Sequence, residues 1–144
     1  MVDLAELSKI HGVLNSLLYN RWGELLIPEL QYRDARISRL GTEVAYCSAF
    51  LRRMQKEIDF IELVYQDRRI IARLSDNFLI LVVCEEIADI PLIKLTMNVI
   101  NEEIKGDREI QRLVRRSKGK RDLLIEARRE LEWRELSEKM GIHD

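Results

Sequence analysis

Two cysteines, two prolines, two histidines and no recognisable catalytic motif are the first limits this 144-residue chain sets on what it can be. A disulfide scaffold needs more cysteines in a shorter secreted chain. Cys47 and Cys84 both lie in apolar stretches and read as small core residues, which makes a reducing cytoplasm the expected compartment. Neither has a histidine close in sequence, so nothing supports a nucleophile or a zinc ligand. His11 and His143 sit at opposite ends and do not read as a metal pair; His11 reads as a helix-end residue near the last carbonyls. There is no G-x-x-x-x-G-K-[ST], hence no phosphate-cradling loop, and Gly106 and Gly119 stand near basic residues at the wrong spacing for one. The opening MVDLAELSK lacks the basic start and apolar run of a signal peptide. The longest continuous apolar run, Phe78–Cys84, is far short of a membrane span. With a net charge of −1, no global field favours nucleic acid or membrane. No enzyme, no cofactor and no metal are therefore expected.

What is present is a soluble composition, 47% hydrophobic and 34% charged, with a helix signal at its centre. Ile37, Leu40, Val44, Cys47, Leu51, Met54 and Ile58 are spaced by alternating threes and fours, the stripe of a helix that buries one face. Gly41, Ala45 and Ala49 form a second stripe of small residues, four apart. From Val44 to Leu51 there is no charge, so the middle of this helix reads as buried on more than one side. The small stripe would let another backbone approach closely, and a partner helix is the expected occupant. Arg52 and Arg53 end the uncharged centre. They read as a contact to a partner protein or as a solvated turn. Tyr46 and Phe50, four apart, read either as core or as aromatic anchors of an interface.

The other elements follow from turn chemistry and periodicity. Asp3 can cap a short helix over Leu4–Ile10, and Gly12 stops it. Val13–Tyr19 and Glu24–Leu30 read as a hairpin around Asn20-Arg21-Trp22-Gly23. Pro28 cannot donate to a ladder, so the second strand belongs at an edge. Residues 31–36 link to the long helix, expected over 37–58. Phe60–Gln66, Arg69–Leu74 and Phe78–Cys84 read as three more strands, the last buried on both faces. A final helix runs from the cap Asp89 to Lys105, with Ile93, Met97, Ile100 and Ile104 inside and Pro91 tolerated in its first turn. This order predicts an α+β domain over residues 1–106, with a five-stranded antiparallel sheet and helices on its faces.

Residues 107–144 read as a charged extension. Seven basic residues lie in Arg108–Arg121 against the single acid Glu109, a local +6. From Asp122 to Asp144 seven acids face four bases, a local −3. A helix over Asp122–Met140 is expected to be broken from the rest at Gly119. Because the preceding helices complete a core, the extension is expected to be dispensable for folding. Its basic block reads as solvated linker or as a contact to phosphates, and it lacks the interleaved aromatics of single-strand nucleic-acid binders.

The element order, together with Ile10-His11-Gly12-Val13 entering the first strand and Asn20-x-x-Gly23-x-Leu25-Leu26 at the hairpin, resembles the Roadblock family, the dynein-light-chain type, over about residues 3–105. The longin fold uses the same elements, but a helix before the first strand favours Roadblock. The resemblance implies a strand order of 2-1-5-4-3. It also implies a homodimer in which the strand 60–66 pairs with its copy and the central helices lie together. The dimer interface would then hold Gly41, Ala45, Ala49, Ile61, Leu63 and Tyr65, and the partner-binding surface Tyr46, Phe50, Arg52 and Arg53. It further implies binding of a Ras-like small GTPase, with all catalytic groups on the GTPase. Two other readings stay open: a structural adaptor that recruits proteins through the tail, and a phosphate-surface binder using residues 108–121.

Overall fold

The computed structural model describes residues 3–28 and 35–116, and further on residues 134, 135 and 139. The expected tail helix over Asp122–Met140 lies almost wholly outside the described residues, as does most of the link 31–36. The elements are α1 (Ala5–Ser8), β1 (Val13–Asn20), β2 (Leu25–Ile27), α2 (Ala35–Arg53), β3 (Phe60–Tyr65), β4 (Arg68–Leu74), β5 (Phe78–Glu85), α3 (Ile90–Gly106) and α4 (Arg108–Arg115). The five strands form one antiparallel sheet in the order β2-β1-β5-β4-β3, as expected.

Local chemistry places the boundaries. Gly12 has φ +89°, and Glu85 N–H donates to its carbonyl at 2.8 Å. The hairpin turn is held by Asn20, whose Oδ1 accepts from the N–H groups of Trp22 and Glu24 at 3.0 Å each. Gly23 supplies the positive φ the turn needs, +86°. Pro28 follows β2 rather than sitting inside it, and β2 is the edge strand that the proline requires. Asp89 Oδ1 accepts from Leu92 N–H at 3.1 Å and starts α3, with Pro91 in the first turn.

Alternation along β5 divides the core into two layers. Phe78, Ile80, Val82 and Cys84 point to one face, where Leu18 and Ile71 join them under α1, α3 and α4. The expected inner stripe of α3 lies there, with Ile93, Met97 and Ile104 fully buried and Ile100 nearly so. Leu79 and Leu81 point to the other face, with Leu17, Tyr19, Ile70, Ala72 and Leu74, where α2 is the one covering helix among the described residues.

Three expectations are corrected here. The first concerns the length of α2, which ends at Arg53, with only a turn beyond it, and not at residue 58. Gln55 takes φ +57°, Lys56 N–H donates to Leu51 O at 3.0 Å, and Gln55 N–H donates to Arg52 O at 2.9 Å. That pair of reversed bonds is the Schellman stop, built on glutamine where glycine is usual. Met54 and Ile58 are consequently exposed. The second concerns the helix's buried stripe. It is Gly41, Val44, Ala45 and Ser48, while Cys47 faces out.

The third concerns Gly106, which is not where packing ends. Asp107 Oδ1 accepts from the N–H groups of Glu109 and Ile110 at 3.0 and 3.2 Å and starts α4. Ile110 and Val114 are 0% and 2% exposed in the core shared with α3. The chain to Arg116 therefore belongs to the packed unit.

Replacing Ile110 by alanine is expected to lower stability by about 2–5 kcal/mol, the usual range for a buried large-to-small change. Urea denaturation measures it. Truncation after Gly106 should cost more still, whereas truncation after Arg116 should keep a cooperative transition near that of the full chain.

Gly41→Ala provides a second test. Its added Cβ would fall on the Tyr19 ring, whose hydroxyl donates to Ile37 O at 2.8 Å and so cannot swing away freely. A loss of about 1–3 kcal/mol is expected from overpacking. An unchanged thermal midpoint would mean the ring yields.

Candidate partner-binding surface

A helix with its side chains is about 10–12 Å across, whereas five strands about 4.8 Å apart span roughly 19 Å between the outer axes. On the face it shares with α2 the sheet is therefore wider than its cover. Packing is complete over β1, β5 and β4, where Leu17, Leu79, Leu81 and Ala72 are at most 2% exposed. It thins at β3. Ile61 and Leu63 are only half-buried, and Tyr65 is 49% exposed. β3 is also an edge, hydrogen-bonded to β4 on one side only, with Val64 67% exposed on the opposite sheet face.

The outward row of α2 is Arg39, Glu43, Cys47, Phe50 and Met54, all exposed. Its first half is charged and its second half apolar. Phe50 and Met54 expose 56% and 52% of their surface. Tyr46 and Ala49 are half-buried against the α2 layer. The apolar end of α2 and the under-covered edge of β3 thus lie on one side of the sheet.

The expected interface residues divide accordingly. Gly41 and Ala45 are buried inside this chain, packed into its own core. Gly41 lies on the Tyr19 ring, and a Cβ on Gly23 would stand 2.6 Å from the Gly41 carbonyl oxygen. The small residues do allow a close backbone approach, but the approaching backbone is the chain's own hairpin turn. Arg52 is likewise engaged internally. Its guanidinium donates to Asp76 O at 2.8 Å and to Ser75 O, tying the end of α2 to the β4–β5 turn. Burial lowers its pKa from the ordinary value; Asp76 opposes this and Arg21 adds to it. Arg53, one residue on, is exposed. Ala49, Tyr46, Phe50, Ile61, Leu63 and Tyr65 remain accessible in whole or part. Sequence reasoning missed Cys47, Met54 and Val64 as surface residues. For Cys47 and Met54 the signal was the 4-4-3-4 outer row and the helix stop at Gln55, both masked by the apolar character of the stretch; for Val64 it was the place of β3 at the sheet edge.

No group of three or more metal-ligating side chains occurs among the described residues. The Cys84 thiol is buried, and that burial pushes its pKa up, with Arg69 opposing and Glu62 adding, so it behaves as a core residue. Beneath the end of α2 lies a polar cleft of about 280 Å³, between Arg52, Glu57, Asp59 and Ser75. It holds no cysteine or histidine that could act as a nucleophile or base. No helix of the described residues is long and apolar enough to cross a membrane.

No sequence-family model matches the chain, and no curated protein matches it by sequence. Solved structures do match it by fold. A Roadblock/LC7 domain from Streptomyces avermitilis superposes with a TM-score of 0.57 at 11% identity, covering 73% of this chain and 97% of that one. The gliding protein MglB from Thermus thermophilus gives 0.57 at 17% identity, over 79% and 87%. MglC from Myxococcus xanthus gives 0.52 at 11%, over 71% and 92%. The strand order, the two-layer core and these superpositions agree: the chain has the Roadblock/LC7 fold.

Proposed function

We propose that this protein is a non-enzymatic regulator or scaffold that forms a homodimer and binds a Ras-like small GTPase. The observation that carries the proposal is the incomplete cover of the sheet at β3 beside the apolar end of α2. A second copy supplies what the fold omits. Its β3 would extend the sheet by edge pairing, and its α2 would lie beside the first over Ile61, Leu63 and Tyr65. One solved structure of similar fold is described as MglB with tetrameric arrangement, which supports assembly as a property of the fold.

In this reading the GTPase meets the composite surface made by two α2 helices, with Tyr46, Phe50 and Arg53 among the contacts. Regulation is positional. The dimer would hold the GTPase switch segments in one arrangement, and any gain in GTP hydrolysis would come from groups on the GTPase. Arg52 can take part only by giving up its two bonds to the β4–β5 turn, so an arginine finger from this position is not proposed.

Light scattering should give the mass of a dimer at micromolar concentration. Phe50→Asp and Tyr65→Asp are exposed in a single chain, so each should fold and shift the population toward monomer. Ala45→Arg would not report on assembly, because Ala45 is wholly buried in its own core. A wild-type monomer would remove the dimer reading.

The purified chain should show no GTP turnover and no micromolar binding of labelled GTP, having no phosphate loop. A pull-down with mass spectrometry should recover a P-loop GTPase, retained more by wild type than by Phe50→Asp. Recovery of other proteins only, retained equally by both, would leave a structural adaptor instead.

A further inference from the structure

The corner where α3 passes into α4 concentrates positive charge. Lys105, Arg108, Arg112 and Arg115 line one cleft of about 390 Å³. The three arginines stand at i, i+4 and i+7 of α4, so they form one row about 10 Å long. Among the described residues, no carboxylate is within ion-pair distance of any of the three. Lys105 shares only an exposed 3.3 Å pair with Glu102, which exchanges readily. Among the described residues the one acid in the lining is Asp107, and its Oδ1 is committed to capping α4. Glu103 and Glu109 are exposed and lie outside the lining.

The row is rigidly mounted, unlike a charge run in a linker. Ile110 and Val114 anchor the opposite face of α4 in the core. Gln111 braces it from the side: Nε2 donates to Ile104 O at 3.0 Å, and Oε1 accepts from Asn77 Nδ2 at 3.1 Å. The arginine stems therefore start from fixed positions, and ordering them on a ligand costs less than ordering a free segment.

We propose that this cleft binds a phosphate-bearing anion. Among the described residues every side chain in the lining is charged or polar, and four of them are cationic, which suits an anion. A single carboxylate would engage one guanidinium fork. A phosphate presents several oxygens at once, and planar guanidinium donors match it in pairs. A soluble phosphorylated molecule and a phospholipid headgroup present the same chemistry here. The site is remote in sequence from α2 and β3 and does not rest on the dimer reading.

The test uses the full chain, inorganic pyrophosphate in a calorimeter, and flotation with phosphatidylcholine vesicles with and without phosphatidylglycerol. Wild type should bind pyrophosphate, anionic vesicles, or both, at low salt. Pyrophosphate binding alone indicates a soluble ligand, and vesicle binding that requires phosphatidylglycerol indicates a headgroup. The double variant Arg108→Ala/Arg112→Ala should weaken binding by about tenfold or more. Arg39→Ala/Arg68→Ala removes the same charge elsewhere and should leave binding within about twofold. Arg112→Gln/Arg115→Gln should repeat the loss if the first variant unfolds. Failure of both probes to bind, or equal weakening by the cleft and control variants, overturns the proposal.

Discussion

Coverage of a five-stranded sheet is the constraint on which the remaining structure depends. One face is served by three helices, α1, α3 and α4, and its side chains are nearly all sealed. Among the described residues the other face has α2 alone, and a single helix is narrower than five strands. The shortfall falls on β3: α2 is seated on Tyr19 of β1, and Ile61 and Leu63 at the edge of the same layer are only partly buried. Apolar surface left at a sheet edge is a liability that a monomer ordinarily blunts with charge or a cap. Here the edge carries one charge, Glu62, paired with Lys94, and leaves Tyr65 on the α2 face and Val64 on the other face exposed. That is the physical content of the proposed assembly.

The seat of α2 follows from one notch. Tyr19 lies under Gly41, donates its hydroxyl proton to the Ile37 carbonyl, and leaves room for nothing larger. Gly23 brings the hairpin turn against the same point of the helix. Two glycines and one tyrosine thus fix where the helix crosses the sheet. They also fix which of its faces remains outside. Arg52 secures the far end on the β4–β5 turn. The apolar outer residues Cys47, Phe50 and Met54 are presented by this anchoring and take no part in it.

α4 is a helix with two uses. Its buried face, Ile110 and Val114, closes the core beneath α3, and its outer face carries arginines that no carboxylate among the described residues pairs. The charge pattern of residues 108–121 was plain, but a charge run by itself reads as solvated. What changes the reading is the pair of apolar residues four apart inside the run. They convert a basic segment into a basic surface on a rigid mount.

The order of elements up to α3 and the α3 stripe could be read from the residues alone, since periodicity, caps and turn formers are local; the strand order came only with the family resemblance. The proline beside β2, the asparagine-to-glycine turn and the Asp89 cap each required one physical outcome, and the structure has it. The direction of the small stripe could not be read. Gly41 and Ala45 permit close approach, but nothing local says whether the approaching backbone is foreign or the chain's own. The stop of α2 at Gln55 was equally hidden, because glutamine is not a residue that announces a left-handed turn. The burial of Ile110 and Val114 was decided by α3, Gln111 and the β4–β5 turn, residues distant in sequence from them or held in place by tertiary contacts. The sequence by itself determined which segments up to α3 are helix and strand, because those signals are local. Only the tertiary structure decided which apolar residues stay outside, because burial depends on how wide the cover is and where it is pinned.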